Sequence, residues 1–430
     1  MSATSPQKAQ SLGDKSDNFS SPCLRIALLG YRSNPFSGGQ GIYIKYVARA
    51  LRDLGHEVHV ISGEPYPELD DGIRLIKLPG LNLYAHDQPR KALKLGHLRS
   101  ATDLFEWASV MSGGFPEPYT FGRRVVRFFR EHGNDYDIIH DNQSLSHGIV
   151  TLQQRGLPVV STIHHPITYD REIALAHTED WGMRLLIKRW HYFLKMQTKV
   201  ARQLSHVTTV SECSKRDICR AFDVDVDRVQ VIYNGVDSDL FKPNPHIQRS
   251  NNHLITTASA DQPLKGTQHL IPAFAELRKT YPDLRLTFIG KPKSDGETSK
   301  LIERLGVAQA IDFRHGISTT EIVELYAKAT IAVVPSEYEG FGLPAAEAMA
   351  CGVPVVATNG GALPEVVGDA GITVPKADPV ALAQGIAHLL ENPSERERLA
   401  TRGRTRMQAQ FNWSNVAREL TEYYQQVINT

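Results

Sequence analysis

Two glutamates, Glu339 and Glu347, stand eight positions apart around the turn Gly340-Phe341-Gly342-Leu343-Pro344. The apolar run Ile331–Val334 before them reads as a buried parallel strand, and the Ala-, Glu- and Met-rich stretch after them as a helix. A strand, a glycine turn and a helix N-terminus in series offer free backbone N–H groups and the positive end of a helix dipole, which bind phosphate. A carboxylate beside bound phosphate normally raises the energy of a site. Two carboxylates make sense if the ligand is a diphosphate with hydroxyl-rich groups at both ends, one glutamate accepting from a sugar and the other from a ribose. A nucleotide-sugar has that form. Taken singly, each glutamate is as well explained by the preference of acids for helix starts; the combination with strand, glycines and Pro344 favours a site.

The elements that must position these residues follow a regular rhythm. Leu24–Leu29 is a short apolar strand, and Ile44, Val47, Ala48, Leu51 and Leu54 share one face of a helix stopped by Gly55. Strand patterns return at Glu57–Ser62, Tyr136–His140, Pro158–His164, Val207–Ser211 and Val229–Tyr233. The alternation then restarts at Asn252–Ser259, Leu284–Gly290, Ala310–Phe313, Ile331–Pro335, Val353–Thr358 and Gly371–Val374, with helical stretches such as His269–Thr280 and Thr319–Ala329 between. The fold class is therefore α/β, with two Rossmann-like domains facing each other across a cleft. Ligands of such sheets bind outside the carboxyl ends of the strands. Asn, Gly, Asp and Pro cluster at Asn234–Pro243 and mark a hinge. The expected organisation is a disordered tail over 1–22, an acceptor-side domain over 23–236, a donor-binding domain over 237–410 and a final helix over 411–430. Residues 70–120, rich in Pro, Gly and His, fit the rhythm poorly and read as an acceptor-side insertion.

Bulk properties narrow the function classes. A chain of 430 residues is too long for one ordinary core. With 41% hydrophobic and 22% charged residues and a net charge of +1, nothing supports nucleic-acid binding over the whole surface. Cys23, Cys213, Cys219 and Cys351 form no C-x-x-C pair, no zinc spacing occurs, and four scattered thiols suit a reducing cytoplasm. No apolar run is long enough to span a membrane.

The stretch E-G-F-G-L-P-A-A-E-A-M-A-C-G-V-P resembles the signature of family 4 glycosyltransferases. The resemblance extends over nearly the whole chain: S-G-G-Q-G (Ser37–Gly41) sits where the family has its glycine-rich loop, V-I-Y-N-G-V-D (Val231–Asp237) resembles the entry to the second domain, P-L-K-G (Pro263–Gly266) the basic phosphate segment, G-G-A-L-P-E (Gly360–Glu365) a later loop, and F-N-W-S (Phe411–Ser414) the start of a helix that crosses back to the first domain. The family implies a GT-B fold and sugar transfer with retention at the anomeric carbon, with no cofactor and no metal, the nucleotide-sugar being a co-substrate. It implies that Glu339 contacts the hydroxyls of the transferred sugar, Glu347 the ribose hydroxyls, Lys265 the diphosphate, and His164 the sugar's C6 hydroxyl. Glu339, His164 and Lys265 are then the expected catalytic residues. Donor binding falls to Gly340, Phe341, Gly342 and Leu343 at the helix tip and to Gly38, Gly39 and Gly41 of the first loop. For His164 the competing reading is a polar strand-end residue bonded to backbone.

One position departs from the family pattern. Ala260 stands five residues before Lys265, where the family commonly has an arginine; Lys291, at the end of the Leu284–Gly290 strand, is expected to supply the missing cation. Rival readings are an epimerase-like sugar-nucleotide enzyme, which has no need of the glutamate bracket, and a catalytically weak binding subunit, which Ala260 keeps open. UDP is the expected carrier on family grounds. The acceptor is a hydroxyl of a small molecule, glycan or lipid-linked sugar, met near Asp141, Asn142 and Gln143 or in the Tyr84–Tyr119 region. The run Asp223, Asp225, Asp227 lacks the glycine and glutamate of a calcium loop and reads as a solvated turn. Residues 181–211 carry no acid, and Arg184, Lys188, Lys195, Lys199 and Arg202 group on one side if the segment is one helix. The plain reading is a solvated face with Trp190, His191, Tyr192 and Phe193 turned into the core. The sharper one is peripheral contact of residues 184–202 with an anionic membrane surface on its cytoplasmic side, or binding of an anionic acceptor.

Overall fold

The computed structural model describes residues 22–34, 39–86, 89–176 and 178–430. Their strands are β1 (Arg25–Gly30), β2 (Glu57–Ser62), β3 (Arg74–Lys77), β4 (Ile138–Asn142), β5 (Val159–Ile163), β6 (Val207–Thr209), β7 (Val229–Val231), β8 (His253–Thr257), β9 (Arg285–Ile289), β10 (Ile311–Arg314), β11 (Ile331–Val334), β12 (Val355–Thr358) and β13 (Ile372–Val374). They form two all-parallel sheets, ordered β3-β2-β1-β4-β5-β6-β7 and β10-β9-β8-β11-β12-β13. In each sheet the order reverses beside its first strand, which is where a doubly wound sheet opens a crevice. Central strands such as β4, β5, β11 and β12 are buried along their whole length, as expected of sheets covered on both faces.

β3 lies inside the stretch read as an insertion. It is a four-residue edge strand with no fully buried residue, so it carries none of the apolar run that betrays a central strand. Most of the remainder of residues 83–132 is helical, including Ala101–Met111 and Glu117–His132.

The last helix, Trp413–Ile428, belongs to the first unit. Val416, Ala417, Leu420, Tyr424 and Val427 join Ile26, Leu28, Ile44, Val47 and Val60 in one apolar cluster. Polar contacts fix its register: His56 Nε2 meets Thr421 Oγ1 at 2.9 Å, and His140 lies between the Tyr424 hydroxyl on Nδ1 and Thr162 Oγ1 on Nε2. The chain thus passes between the units twice, outward near Val236 and back near Phe411. The two passages lie side by side, with the Val236 amide donating to the Phe411 carbonyl at 2.8 Å.

Tyr424 is fully buried, so Tyr424→Phe removes a partner that His140 cannot replace with water. The expected loss is about 1–3 kcal/mol of unfolding free energy, read from denaturant midpoints with an unchanged slope.

Candidate active site between the two sheets

The turn after β11 projects from the carboxyl end of the second sheet toward the first unit. It is built by close backbone approach. Gly266 holds φ +67°, and a β-carbon there would come within 1.8 Å of the Pro335 carbonyl oxygen; only glycine lets the Pro263–Lys265 turn lie against the strand end. The Glu337 amide then donates to the Leu264 carbonyl at 2.8 Å. On the other side, the Ala362 amide donates to the Glu339 carbonyl at 2.9 Å. The G-G-A-L-P-E loop therefore backs Glu339 while P-L-K-G delivers a cation to its front.

That cation is Lys265. Its Nζ donates to Glu339 Oε1 at 2.8 Å, and the same oxygen accepts from Ser336 Oγ at 2.8 Å. Glu339 is 9% exposed, so the pair sits where low dielectric strengthens it. Lys265 neutralises the carboxylate that would otherwise repel a phosphate at the helix tip. The helix Leu343–Ala350 starts behind Gly342 with Pro344 in its first turn. The amides of Phe341 and Gly342 find no acceptor among the described residues, while the Phe341 ring packs 5.7 Å from Phe411. Leu343 opens the helix.

One turn further on, the Glu347 carboxyl has no hydrogen-bond partner among the described residues. Burial pushes its pKa up to about 8, so at neutral pH it is largely protonated. Tyr46 lies close enough for the charge of Glu347 to act on it, and its ring stacks on Trp413 with centroids 5.5 Å apart.

Across the gap, His164 follows β5. Its Nε2 lies 2.6 Å from Asn142 Oδ1, and Asn142 Nδ2 donates to the Gln40 carbonyl at 3.2 Å. Asn142 thereby presents an acceptor to His164, which places the imidazole proton on Nε2 and leaves Nδ1 as an acceptor. Burial, with smaller contributions from His165 and His140, pushes its pKa down to about 3. Gln143 grips the backbone on both sides, accepting from the His164 amide at 2.8 Å and donating to the His165 carbonyl at 2.9 Å. Asp141 is buried and accepts from the Ser144 hydroxyl and, at 3.1 Å, from the Leu145 amide. Asp141, Asn142 and Gln143, read from the sequence as near the acceptor, are thus engaged in holding this corner and the histidine.

Direct contacts join the two units here. The Gly340 carbonyl accepts from Ser211 Oγ at 2.7 Å and from Ser214 Oγ at 3.1 Å, and a β-carbon on Gly340 would come within 2.9 Å of the His164 carbonyl oxygen. Glu365 accepts from the amides of Glu212 and Cys213 at 2.8 and 2.7 Å, capping a helix of the first unit with a carboxylate from the second. The Tyr338 hydroxyl donates to Asp217 at 3.0 Å.

The structure brings Glu339, Lys265, Gly340, Phe341, Gly342, Leu343, Glu347 and His164 to one cleft. Gly39 and Gly41 fall in the first turn of the helix Gly39–Asp53, not in the glycine-rich loop that the resemblance implied. Gly41 is required by the Asn34 carbonyl oxygen, which would lie 2.0 Å from a β-carbon there, whereas no atom of the described residues comes within 4 Å of a β-carbon on Gly39. Gly38 lies outside the described residues. Lys291 is exposed, and no contact among the described residues joins it to Lys265 or Glu339. Ala260 packs in the apolar cluster of the second unit with Leu270, Leu286 and Ile302. Ser211, Ser214, Ser336, Glu337, Asn142 and Glu365 carry roles that no spacing announced. Among the described residues no cluster of His, Cys, Asp or Glu side chains is arranged to hold a metal ion.

Comparison with known proteins decides the family. Residues 37–240 match the description Glycosyltransferase Family 4, and residues 241–406 match Glycosyl transferases group 1. The chain belongs to glycosyltransferase family 4. It is 42% identical over 409 residues to an MMP alpha-(1->4)-mannosyltransferase of Mycolicibacterium hassiacum, covering 94% of this chain and 98% of the relative. It is 28% identical over 436 residues to a D-inositol 3-phosphate glycosyltransferase of Acidothermus cellulolyticus, covering 94% of this chain and 90% of that one. A sucrose-phosphate synthase from Thermosynechococcus elongatus shares its fold with a TM-score of 0.70 at 24% identity, covering 94% and 99% of the two chains. Anabaena Alr3699/HepE, solved with UDP and glucose, does so with a TM-score of 0.68 at 21% identity, covering 94% and 100%. The protein is a glycosyltransferase of the GT-B fold.

Burial of His140 also pushes its pKa down to about 3. Both histidines stay neutral in the folded state where the unfolded chain protonates, so stability is full above about pH 6.5 and declines as pH falls below it. Denaturant midpoints are expected to fall between pH 6.5 and 5, while the imidazole resonances of His140 and His164 show no titration over that range.

Proposed function

We propose that the protein is a retaining, metal-independent transferase that moves a hexose-type sugar from a nucleotide diphosphate to an acceptor hydroxyl. The observation that carries this reading is the Lys265–Glu339 pair at the tip of the Leu343–Ala350 helix, with the His164 backbone against Gly340 from the first unit. A diphosphate on the free amides of Phe341 and Gly342 puts the sugar beside Glu339 and the ribose toward Glu347. Neutral His164 offers Nδ1 to a sugar hydroxyl. The acceptor oxygen attacks the anomeric carbon from the face that the phosphate leaves, the carbon–phosphate oxygen bond breaks, and the departing phosphate oxygen takes the acceptor proton. The protein orients and stabilises charge without a dedicated base, and the cross-cleft contacts exclude water. Gly39 approaches the donor from the first unit, and Lys291 supplies a second cation when the donor is bound. The mannosyltransferase name of the 42%-identical relative supports a hexose and puts mannose first among sugars to test, while neighbours solved with UDP and UDP-glucose support a nucleotide-sugar donor. Free thiols at Cys23, Cys213, Cys219 and Cys351 suit a cytoplasmic setting, and the basic stretch 184–202 supports peripheral contact with a membrane there.

Thermal shift against UDP- and GDP-sugars is expected to single out one donor, because stabilisation grows with ligand concentration over its dissociation constant. With that donor, Glu339→Ala is expected to lower kcat by about 10²–10³-fold, and Glu347→Ala to act mainly on donor affinity; equal effects of both changes on both parameters contradict the roles. Lys291→Ala with unchanged affinity and turnover removes Lys291 from the site. An inverted product anomer rules out the retaining mechanism.

Ribose hydroxyls donating to Glu347 favour its ionised form. Donor binding is therefore expected to release a proton below about pH 8 and to tighten as pH rises from 6 to 8. Calorimetry in buffers of different ionisation heat reads the proton, and Glu347→Gln should abolish its share of the release.

A further inference from the structure

The first sheet ends beside a polar and aromatic corner that the donor site does not use. β1 pairs with β4 so that Leu29 stands opposite Asp141, and Arg32, two residues beyond β1, therefore leaves the sheet on the edge that carries Asn142 and His164. The Tyr31 hydroxyl bonds the Gln40 side chain, and the Gln40 carbonyl accepts from the same Asn142 that holds His164. Arg32 is fixed through one nitrogen: Nη1 donates to both carboxylate oxygens of Glu117 at 3.0 Å. Its Nε and Nη2 meet no acceptor among the described residues, and the side chain is 31% exposed while that of Glu117 is 8% exposed. The guanidinium carbon stands 5.7 Å from the centre of the Tyr84 ring. Tyr84 is tied through its hydroxyl to the Gly114 carbonyl at 2.8 Å and packs against Phe115 and Trp190 with ring centroids 5.6 and 5.2 Å away. Trp190, read from the sequence as turned into the core, is 37% exposed.

A guanidinium with two free donor edges beside aromatic rings suits a ligand with a rim of hydroxyls and an apolar C–H face, which describes a pyranose. Glu339 and His164 serve the donor sugar in the proposed reaction, so a second sugar-binding corner on the same sheet edge falls to the acceptor. Charge selects among acceptors. The charges that act on the Tyr84 hydroxyl are Glu117 and Glu106 against Arg32 and Arg189, and the neighbouring Arg124 is flanked by Asp103 at 2.6 Å and Glu106 at 2.7 Å. Three guanidiniums thus face three carboxylates among the described side chains, which leaves no surplus cation for a phosphate. Burial pushes the Glu117 carboxyl up to about 7, so this balance holds above neutral pH. We propose that Arg32, positioned by Glu117 beside the Tyr84, Phe115 and Trp190 rings, binds the acceptor, and that this acceptor is an uncharged sugar and not a phosphorylated one. Nε and Nη2 donate to its hydroxyl oxygens, and the aromatic corner takes its C–H face. That this sugar is the acceptor rests on the glycosyltransfer reading; the sugar site itself does not.

Saturation-transfer NMR of the full chain at about pH 8, with methyl α-mannoside and methyl α-glucoside each against its 6-phosphate, tests the sugar site. Acceptor kinetics with the same probes test its place in the reaction. At least one neutral glycoside is expected to bind more tightly than its 6-phosphate. Arg32→Met is expected to raise its dissociation constant, and its KM as acceptor, at least about tenfold, with donor affinity read by thermal shift unchanged. Arg32→Met/Glu117→Gln, which leaves no unpaired carboxylate buried, gives the same loss even where the single change lowers the unfolding midpoint. No saturation transfer to either glycoside, tighter binding of a 6-phosphate, or undiminished affinity in both variants would each overturn the proposal. Glycoside binding that the variants weaken, in a chain that neither hydrolyses nor transfers donor sugar, supports the sugar site and overturns the glycosyltransfer reading instead.

Discussion

A carboxylate and an ammonium held 2.8 Å apart at the tip of a helix are the constraint around which the second unit is arranged. Alone, Glu339 would repel any phosphate drawn to that helix end. Paired with Lys265 and bonded by Ser336, it becomes a fixed acceptor with its charge compensated, leaving the remaining ammonium protons for a ligand. The surrounding backbone serves that pairing. Left-handed Gly266 brings the lysine in, the Leu264–Glu337 bond registers its turn against the strand end, and the Ala362 amide supports the glutamate from behind.

The second constraint lies between the units. Gly340 offers its carbonyl to two serines of the first unit, and Glu365 caps a first-unit helix where free amides and a positive dipole end favour a carboxylate. Separation of the units would leave that carboxylate and those amides to water, so the closed arrangement is favoured by polar contacts as well as by exclusion of solvent. The same carbonyl contact orients the peptide whose N–H belongs to Phe341. The amides at this helix tip are therefore oriented in part by residues of the other unit.

The strands were legible in the sequence wherever they form short apolar runs between helical patterns, which is a property of parallel sheets buried on both faces. β3 was not, because an edge strand with half-exposed residues leaves no such run. Glu339, Glu347, Lys265 and His164 were legible because each sits in a motif of characteristic spacing. Asn142, Ser211, Ser214 and Glu365 were not seen in their roles. Their partners lie far away in sequence, and a polar residue seeking a distant backbone group has no local signature. The segment 181–202 misled for a different reason: it is not one amphipathic helix but breaks into Trp181–Trp190 and Leu194–Ala201, and of Trp190, His191, Tyr192 and Phe193 only Phe193 is buried.

The return of the chain's end to the first unit has a consequence for biosynthesis. Ile26, Leu28, Val47 and Val60 share one apolar cluster with Val416, Leu420 and Tyr424, which leave the ribosome only after the whole second unit. The amino-terminal half must wait, partly open, while the whole carboxy-terminal half is translated and folds. Its exposed sheet face in that interval is a natural client for chaperones, and loss of even the final helix would leave the half made first permanently unfinished.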